Sequence, residues 1–196
     1  MNTIALLPHS KHILPKGRLK LVISRVCDIR MVTEAMTNKR PFALGMIEPN
    51  QAPETISHIP AIATTVSIID FNTQDNGLLE IIVEGIDTIS VSILTMAYDN
   101  LLTATYEPCA QWTPININHD SQPLADKLKH LFESTPEITN IYQQTSYDDA
   151  TWVCQRWLEV LPIDIKYKQS LIHHPTANMT ISFLLQLLQN HHLINH

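Results

Sequence analysis

Two different hydrophobic periods divide the chain near residue 110. Before that point, short apolar runs are bounded by Pro, Gly, Asn and Asp, a pattern typical of β-strands. One helix interrupts them, with Ser24 as its predicted N-cap and Ile29, Val32 and Met36 on one face. The predicted strands cover residues 4–7, 19–23, 42–47, 62–70, 78–86, 88–94 and 101–106.

After residue 110 the period is helical. A first helix is predicted to begin at Asp120 or Ser121. A second is predicted to begin at Ser146, because Asp149 three residues later gives a sequence like a capping box. Prolines interrupt the pattern twice, and a last helix is predicted over residues 180–189. The apolar faces of the first two helices are formed by Leu124, Leu128, Leu131 and Phe132, and by Ala150, Val153, Cys154, Trp157, Leu158 and Leu161.

A glycine at position 85 lies inside an alternating apolar pattern. A two-residue hairpin loop at Gly85 and Ile86 would move the core face from odd to even positions. The apolar residues stay at odd positions, so the pattern predicts one long strand that bends at Gly85, or a turn of odd length. A glycine inside a strand is typical of a barrel corner or of a place where another backbone comes close. The odd positions in question are Ile81, Val83, Ile89, Val91 and Ile93.

These patterns together predict an α+β protein. Residues 1–110 are expected to form a small β-barrel, closed or nearly closed, with one inserted helix. Residues 120–196 are expected to form a separate α-helical subdomain. At 196 residues and 44% hydrophobic, the chain can bury a core of ordinary size.

Composition narrows the class of protein further. No apolar run reaches the roughly 20 residues needed to cross a bilayer, and residues 4–7 are too short for a signal-peptide core, so a cytoplasmic location is expected. The three cysteines, Cys27, Cys109 and Cys154, are far apart and form no C-x-x-C motif. We therefore expect reduced thiols, with neither a disulfide framework nor a thiolate zinc site.

The net charge of −6 is unevenly distributed along the chain. Residues 1–40 carry eight Lys and Arg against two acidic residues, so this segment is strongly positive and the remainder is negative. Such a segment can bind phosphate groups, or it can pair with carboxylates of its own chain. The second interpretation is favoured, because the basic residues are interspersed with apolar ones and do not form a cluster.

Common motifs for phosphate binding or hydrolysis are missing from the sequence. The four glycines are too far apart for a glycine-rich phosphate-binding loop, and neither G-x-S-x-G nor H-E-x-x-H occurs. Glu80 and Glu84 share a strand face, but four residues of strand separate them by about 13 Å, too far for a two-carboxylate site. We therefore predict no catalytic residue and no cofactor.

The ten histidines raise the question of metal binding, and the three tryptophans raise that of base stacking. His191, His192 and His196 close the chain, but no Cys or carboxylate stands at zinc-ligand spacing. No specific metal site is predicted, and only adventitious binding of nickel or zinc by this tail is left open. The tryptophans are interpreted as core or interface anchors in preference to a base-stacking platform. They are Trp112, Trp152 and Trp157.

Five segments, in the same order, resemble the N-terminal domain of Lon proteases. Residues 4–21, IALLPHSKHILPKGRLKL, resemble the opening LPLFPLxxVLFPGxxLPL of its stand-alone relatives. Residues 65–68 and 77–85 are similar to the segments GTVAEI and GxLxIxVxGxxRF. Within residues 157–172, the residues that match LPLxxxxKQxLLE are Leu161, Pro162, Lys168, Gln169 and Leu171. The helical pattern MVxxAL is matched by Met31, Val32, Ala35 and Met36.

The chain also departs from the family pattern. The acidic and aromatic IFExRY stretch is replaced by residues 23–28, and Thr88 stands where the family has an arginine. The resemblance implies a PUA-like pseudo-barrel followed by helices, in a module that holds or recognises protein substrates. The sequence contains no Walker motif, so the ATPase and Ser-Lys peptidase activities of the full protease are not expected of it.

The favoured function is therefore a non-catalytic module that binds unfolded or flexible protein segments, or a protein partner. RNA binding is the alternative, because PUA-like barrels include RNA-binding members and the first 40 residues are basic. An enzyme of an unrecognised class and a small-molecule site in the barrel mouth are also left open. The candidate binding residues lie in two loops, and the alternative is that they fill the barrel ends. They are Ile13, Leu14, Pro15, Ile56 and Ile59.

Overall fold

A computed structural model describes residues 2–47 and 61–194. The chain divides into two compact units, Met1–Cys109 and Ala110–His196, here called the β unit and the helical unit. The α+β class and the C-terminal helices are confirmed. The elements of the β unit are β1 (Asn2–His9), β2 (Arg18–Ile23), α1 (Val26–Asn38), β3 (Phe42–Met46), β4 (Ile62–Thr73), β5 (Leu79–Met96) and β6 (Leu102–Pro108).

The six strands form one mixed sheet in the order β2-β5-β4-β3-β1-β6. β1 and β3 are parallel, and the other pairs are antiparallel. β6 pairs with β1 and also with β5, so five strands close into a ring and β2 is appended to it. The apolar residues inside the sheet form two adjoining clusters, one of which also takes side chains from α1.

Gly85 is the point at which β5 changes its neighbour. β2 pairs with β5 as far as Glu84, whereas the pairing with β6 begins at Ile89. β5 is continuous across Gly85, which is the first of the two outcomes that the odd-numbered apolar pattern allowed, but the buried odd positions end at Val91, because a register shift follows and leaves Ile93 exposed. The main chain of Leu14 also lies close to Gly85. A Cβ atom added to Gly85 would lie only 2.2 Å from the carbonyl oxygen of Leu14. Two main-chain hydrogen bonds join the same places, from Lys16 N–H to Gly85 at 2.8 Å and from Gly85 N–H to Gly17 at 2.9 Å.

Helix α1 packs on the sheet by a different face from the predicted one. Ile29 is exposed, Val32 is buried, and Met36 is half-buried. The buried face of α1 consists of two pairs of residues, each spaced one helical turn apart. Cys27 lies one turn before Met31, and Asp28 lies one turn before Val32. The predicted N-cap is also wrong, because the cap is Arg25, and no side chain makes a capping hydrogen bond.

The helical unit contains five helices within the described residues. Its core joins apolar faces of α2, α4 and α6 around a group of aromatic rings. Ser146 is not the cap of α4: Asp149 is, and its carboxylate accepts the N–H groups of Thr151 at 2.9 Å and Ile115 at 3.2 Å. The helices are α2 (Gln122–Glu133), α3 (Pro136–Thr139), α4 (Ala150–Val160), α5 (Ile165–His173) and α6 (Asn178–Ile194). Across the described part of the chain, no helix combines the length and apolar character needed to cross a membrane.

Candidate functional site

A cleft of about 500 Å³ opens in the β unit between the end of α1 and the strand β4. Its walls are mainly apolar, and its charged residues come from the turn after α1 and from the middle of β4. The lining residues are Ala35, Met36, Lys39, Arg40, Pro41, Ser67, Ile68, Ile69, Asp70, Phe71 and Ile86.

The β4 wall is shaped by a bulge at Ile69. Ile68 is paired with Val83 and Asp70 with Ile82, so one extra residue stands on β4 between two consecutive residues of β5. A bulge interrupts the alternation of side chains between the two faces of a sheet. Ile68, Ile69 and Phe71 consequently line one cleft, and Ile69 and Phe71 remain 41% and 58% exposed.

A second bulge brings Ile86 to the same cleft. Between the pairs formed by Thr64 and Val66, β5 has one residue more than β4. The hydroxyl of Thr65 partly replaces the interrupted ladder, because it accepts the N–H of Asp87 at 3.1 Å and lies 3.2 Å from the carbonyl of the same residue. Ile86 directly precedes Asp87, lines the cleft and is 42% exposed.

The α1 wall ends in a left-handed turn. Lys39 has φ 50° and donates its N–H to the carbonyl of Ala35, and Arg40 N–H reaches the same carbonyl at 3.1 Å. This is the hydrogen-bonding pattern of a helix C-cap, here made without glycine. Pro41 follows and leads into β3. The turn therefore places two cationic residues and a proline beside the apolar side chains of Ala35 and Met36.

Half of the eight basic residues in the N-terminal segment form ion pairs with carboxylates of their own chain; they are Arg18, Lys20, Arg25 and Arg30. Arg18 lies 2.7 Å from Glu84, Lys20 lies 3.0 Å from Glu80, and Arg30 bridges two further carboxylates. A hydrogen bond from Gln74 and then the contact with Lys20 lower the pKa of Glu80. For these four residues, the structure has the pairing that the sequence favoured over phosphate binding. Within residues 2–47 and 61–194, the side chains of Lys39 and Arg40 take part in no ion pair.

The predicted loop residues lie elsewhere. Ile13 and Leu14 are each only 2% exposed, Ile13 belongs to the core that α1 covers, and Pro15 is half-buried beside Gly85. Neither apolar side chain is available to a partner in this conformation, which supports the alternative that they fill an end of the barrel. Ile56 and Ile59 lie outside the described residues.

The tryptophans are part of the helical unit's packing. Trp152 is buried, and its ring contacts Phe132, Tyr142 and Tyr147. The indole N–H groups of the other two donate to main-chain carbonyls, at 2.7 Å and 3.0 Å. None of them forms an open stacking surface. In the described ranges, no group of three His, Cys, Asp or Glu residues is placed to hold a metal ion.

The sequence did contain a signal for the cleft. Residues 67–71 read SIIDF, where two adjacent isoleucines are followed by an aspartate and a phenylalanine. Strict alternation would put one isoleucine on each face of the sheet, so adjacent apolar residues near the solvent-exposed end of a strand indicate a bulge or an apolar surface. Helix α1 forms the other wall of the cleft by a contact distant in sequence, which no local pattern indicates.

One family model matches nearly the whole chain, and two solved structures share its fold. A family model described as the ATP-dependent protease La (LON) substrate-binding domain matches residues 3–190. The crystal structure of a Lon N-terminal domain protein from Xanthomonas campestris superposes with a TM-score of 0.73 at 19% identity, covering 95% of this chain and 98% of that chain. The N-terminal domain of the Mycobacterium avium complex Lon protease gives 0.63 at 10% identity, with 97% and 100% covered. No match was found among curated proteins.

Proposed function

The chain belongs to the family of ATP-dependent protease La (LON) substrate-binding domains, and from this premise we propose that its cleft binds apolar side chains of unfolded or flexible polypeptides. The family is one of substrate-binding, non-catalytic domains. The proposed role is accordingly that of a holding module, which presents or retains a protein segment without changing it chemically.

A single observation carries this proposal: three large apolar side chains are exposed around one concave surface. Ile69, Phe71 and Ile86 are between 41% and 58% exposed, and all three line the cleft. When a partner covers exposed apolar surface, the binding free energy becomes more favourable by roughly 25 cal/mol per Å² of that surface. A concave apolar surface with a polar rim is typical of a binding site, whereas single exposed apolar residues are ordinary.

The charges around the cleft fit a polypeptide occupant. Lys39 and Arg40 stand on one wall and Asp70 on the other, so the rim offers both signs of charge within one small surface. An unfolded segment carries both charged side chains and polar amide groups, and a polar rim leaves them hydrated while the apolar side chains are buried. Selection by such a site depends on apolar content more than on an exact sequence.

The test is binding of a permanently unfolded chain to a matched pair of variants. Reduced and carboxymethylated α-lactalbumin, labelled with fluorescein, serves as the probe in an anisotropy titration. Phe71→Ser removes an apolar side chain from the cleft, and Ile93→Ser removes one that is equally exposed, at 57%, outside it. We expect Phe71→Ser to weaken binding about tenfold and Ile93→Ser to leave it within about twofold.

Circular dichroism must show that both variants are folded. The proposal is wrong if the native chain does not bind the probe, or if the two variants lose affinity equally. Equal losses would indicate general adhesion to exposed apolar residues and no specific site.

A further inference from the structure

The strand β4 extends beyond the strand that pairs with it on one side. The β3–β4 ladder ends at the pair Phe42 and Val66. Pro41, the next residue back along the chain, has no N–H group with which to continue the ladder. Within the described residues, β4 from Ser67 to Thr73 pairs only with β5. No described residue pairs with the other edge of this part of β4, here called the open edge, and the portion that holds Ser67 to Phe71 borders the cleft.

The open edge carries backbone donors at known positions. Gln74 N–H donates to Leu78 across the β4–β5 turn, so it points toward β5. Successive N–H groups of a strand point to opposite edges. The N–H groups of Phe71 and Thr73 therefore point away from β5, into the open edge. Each is held by the side chain of the preceding residue, Asp70 or Asn72, at 2.9 Å.

We propose that a bound polypeptide segment adds to the open edge of β4 as a further strand. It would lie where β3 would lie if β3 extended beyond its N-terminal residue, Phe42. The occupant is an extended polypeptide segment of about five to seven residues, because the edge spans seven residues at about 3.3 Å each. Its alternate side chains enter the apolar cleft, and a carboxylate on the segment faces Lys39 and Arg40. This inference rests on the proposed function and specifies its geometry.

The side chains of Asp70 and Asn72 act as exchangeable caps in this geometry. A carbonyl group of the added strand replaces each cap at the N–H of Phe71 or Thr73, and the released side chain turns to water. One hydrogen bond is exchanged for another, so the backbone contributes alignment and little net affinity. The apolar side chains provide the affinity, and the caps discourage the edge from pairing with any strand that does not also fill the cleft.

Backbone methylation of a peptide tests this directly. The probe is an acetylated nine-residue peptide of alternating Val and Thr with Glu at its centre, made unmodified, N-methylated at the even residues, or N-methylated at the odd residues. An added strand turns only one of these two sets of N–H groups toward β4. We expect one methylated form to lose at least about tenfold in affinity and the other to stay within about threefold of the unmodified peptide.

Hydrogen exchange of the protein gives the second measurement. The amides of Phe71 and Thr73 should exchange more slowly with the unmodified peptide bound, while Gln74, already bonded to Leu78, should change little. If both methylated peptides bind as well as the unmodified one, strand addition is wrong although the cleft still binds. If no peptide binds although carboxymethylated α-lactalbumin does, strand addition is wrong and the proposed function stands; if neither probe binds, both are wrong. If these amides are protected without peptide as protein concentration rises, the occupant is a second copy of the chain and the proposal is overturned.

Discussion

Replacing Gly85 with alanine tests whether close backbone contact holds β5 at the point where it changes neighbours. An alanine Cβ there would lie 2.2 Å from the carbonyl oxygen and 2.8 Å from the carbonyl carbon of Leu14. Both are main-chain atoms of a buried residue, so no rotamer change relieves the overlap. Restoring an ordinary contact of 3.4 Å requires a displacement of about 1.2 Å between β5 and the loop before β2.

The free energy of unfolding should fall by about 3 kcal/mol. Overpacking a well-filled site typically costs 1–3 kcal/mol. The displacement also stretches two hydrogen bonds, Lys16 to Gly85 and Gly85 to Gly17, and each is worth roughly 0.5–1.5 kcal/mol. With a urea m-value of about 2 kcal/mol/M, the unfolding midpoint of the β unit should fall by about 1.5 M.

The two units can be followed separately in one urea titration. All three tryptophans lie in the helical unit, so their fluorescence reports that unit, whereas far-ultraviolet circular dichroism reports both units, and the part of its transition that the fluorescence does not share belongs to the β unit. Gly77→Ala is the control, because its Cβ would meet nothing within 4 Å and the cost is confined to its positive φ of 82°, about 1 kcal/mol. If Gly85→Ala is no less stable than Gly77→Ala, the loop that contains Leu14 moves aside at no cost in stability, and the reasoning is refuted.

Three further predictions concern the helical unit. Asp149→Ala should lower the stability of the helical unit by about 1–2 kcal/mol in urea titrations followed by tryptophan fluorescence, because the capping hydrogen bond to Thr151 is lost. Asp149→Asn should keep most of that stability, and equal losses in the two variants would contradict the capping role. Burial raises the pKa of Cys154 from 9.0 to about 12, so native protein at pH 8 should be alkylated by iodoacetamide at Cys109 and not at Cys154, as peptide mass spectrometry can show. Because the folded state holds this proton longer, stability should fall as the pH rises from about 9 toward 12. Trp157→Phe should cost about 1 kcal/mol through the lost hydrogen bond to α2, and an unchanged urea midpoint would show that this bond contributes nothing.

Local patterns predicted the strands better than they predicted the packing of the helix. The apolar residues at odd positions around Gly85 indicated one long strand or a turn of odd length, because side-chain direction alternates along a strand, and the structure has the long strand. In α1 several faces carry apolar residues, and the sheet selected the one with Cys27 and Met31, leaving Ile29 exposed. That selection depends on contacts distant in sequence, which include the ion pair of Arg30 with Asp99 at 2.6 Å.

The binding surface was harder to predict than the fold. Ile13 and Leu14 were candidate binding residues because they lie in a loop, yet both side chains are buried, and the main chain of that loop is hydrogen-bonded to Gly85. The cleft arises from two bulges and the end of a helix. Each bulge is set by the register between paired strands, and register is a property of the pair that one strand's sequence does not contain.

The ring of strands has a consequence for the order in which the β unit can fold during synthesis. Asn2 on β1 is paired with Tyr106 on β6, so the first strand made has its last neighbour only after more than a hundred residues have been added. A nascent chain that stops short of β6 leaves one side of β1 without a partner and the ring open. Closure brings the two ends of the β unit together, so a circular permutant joined there and reopened at the exposed turn around Gly77 should keep the same architecture.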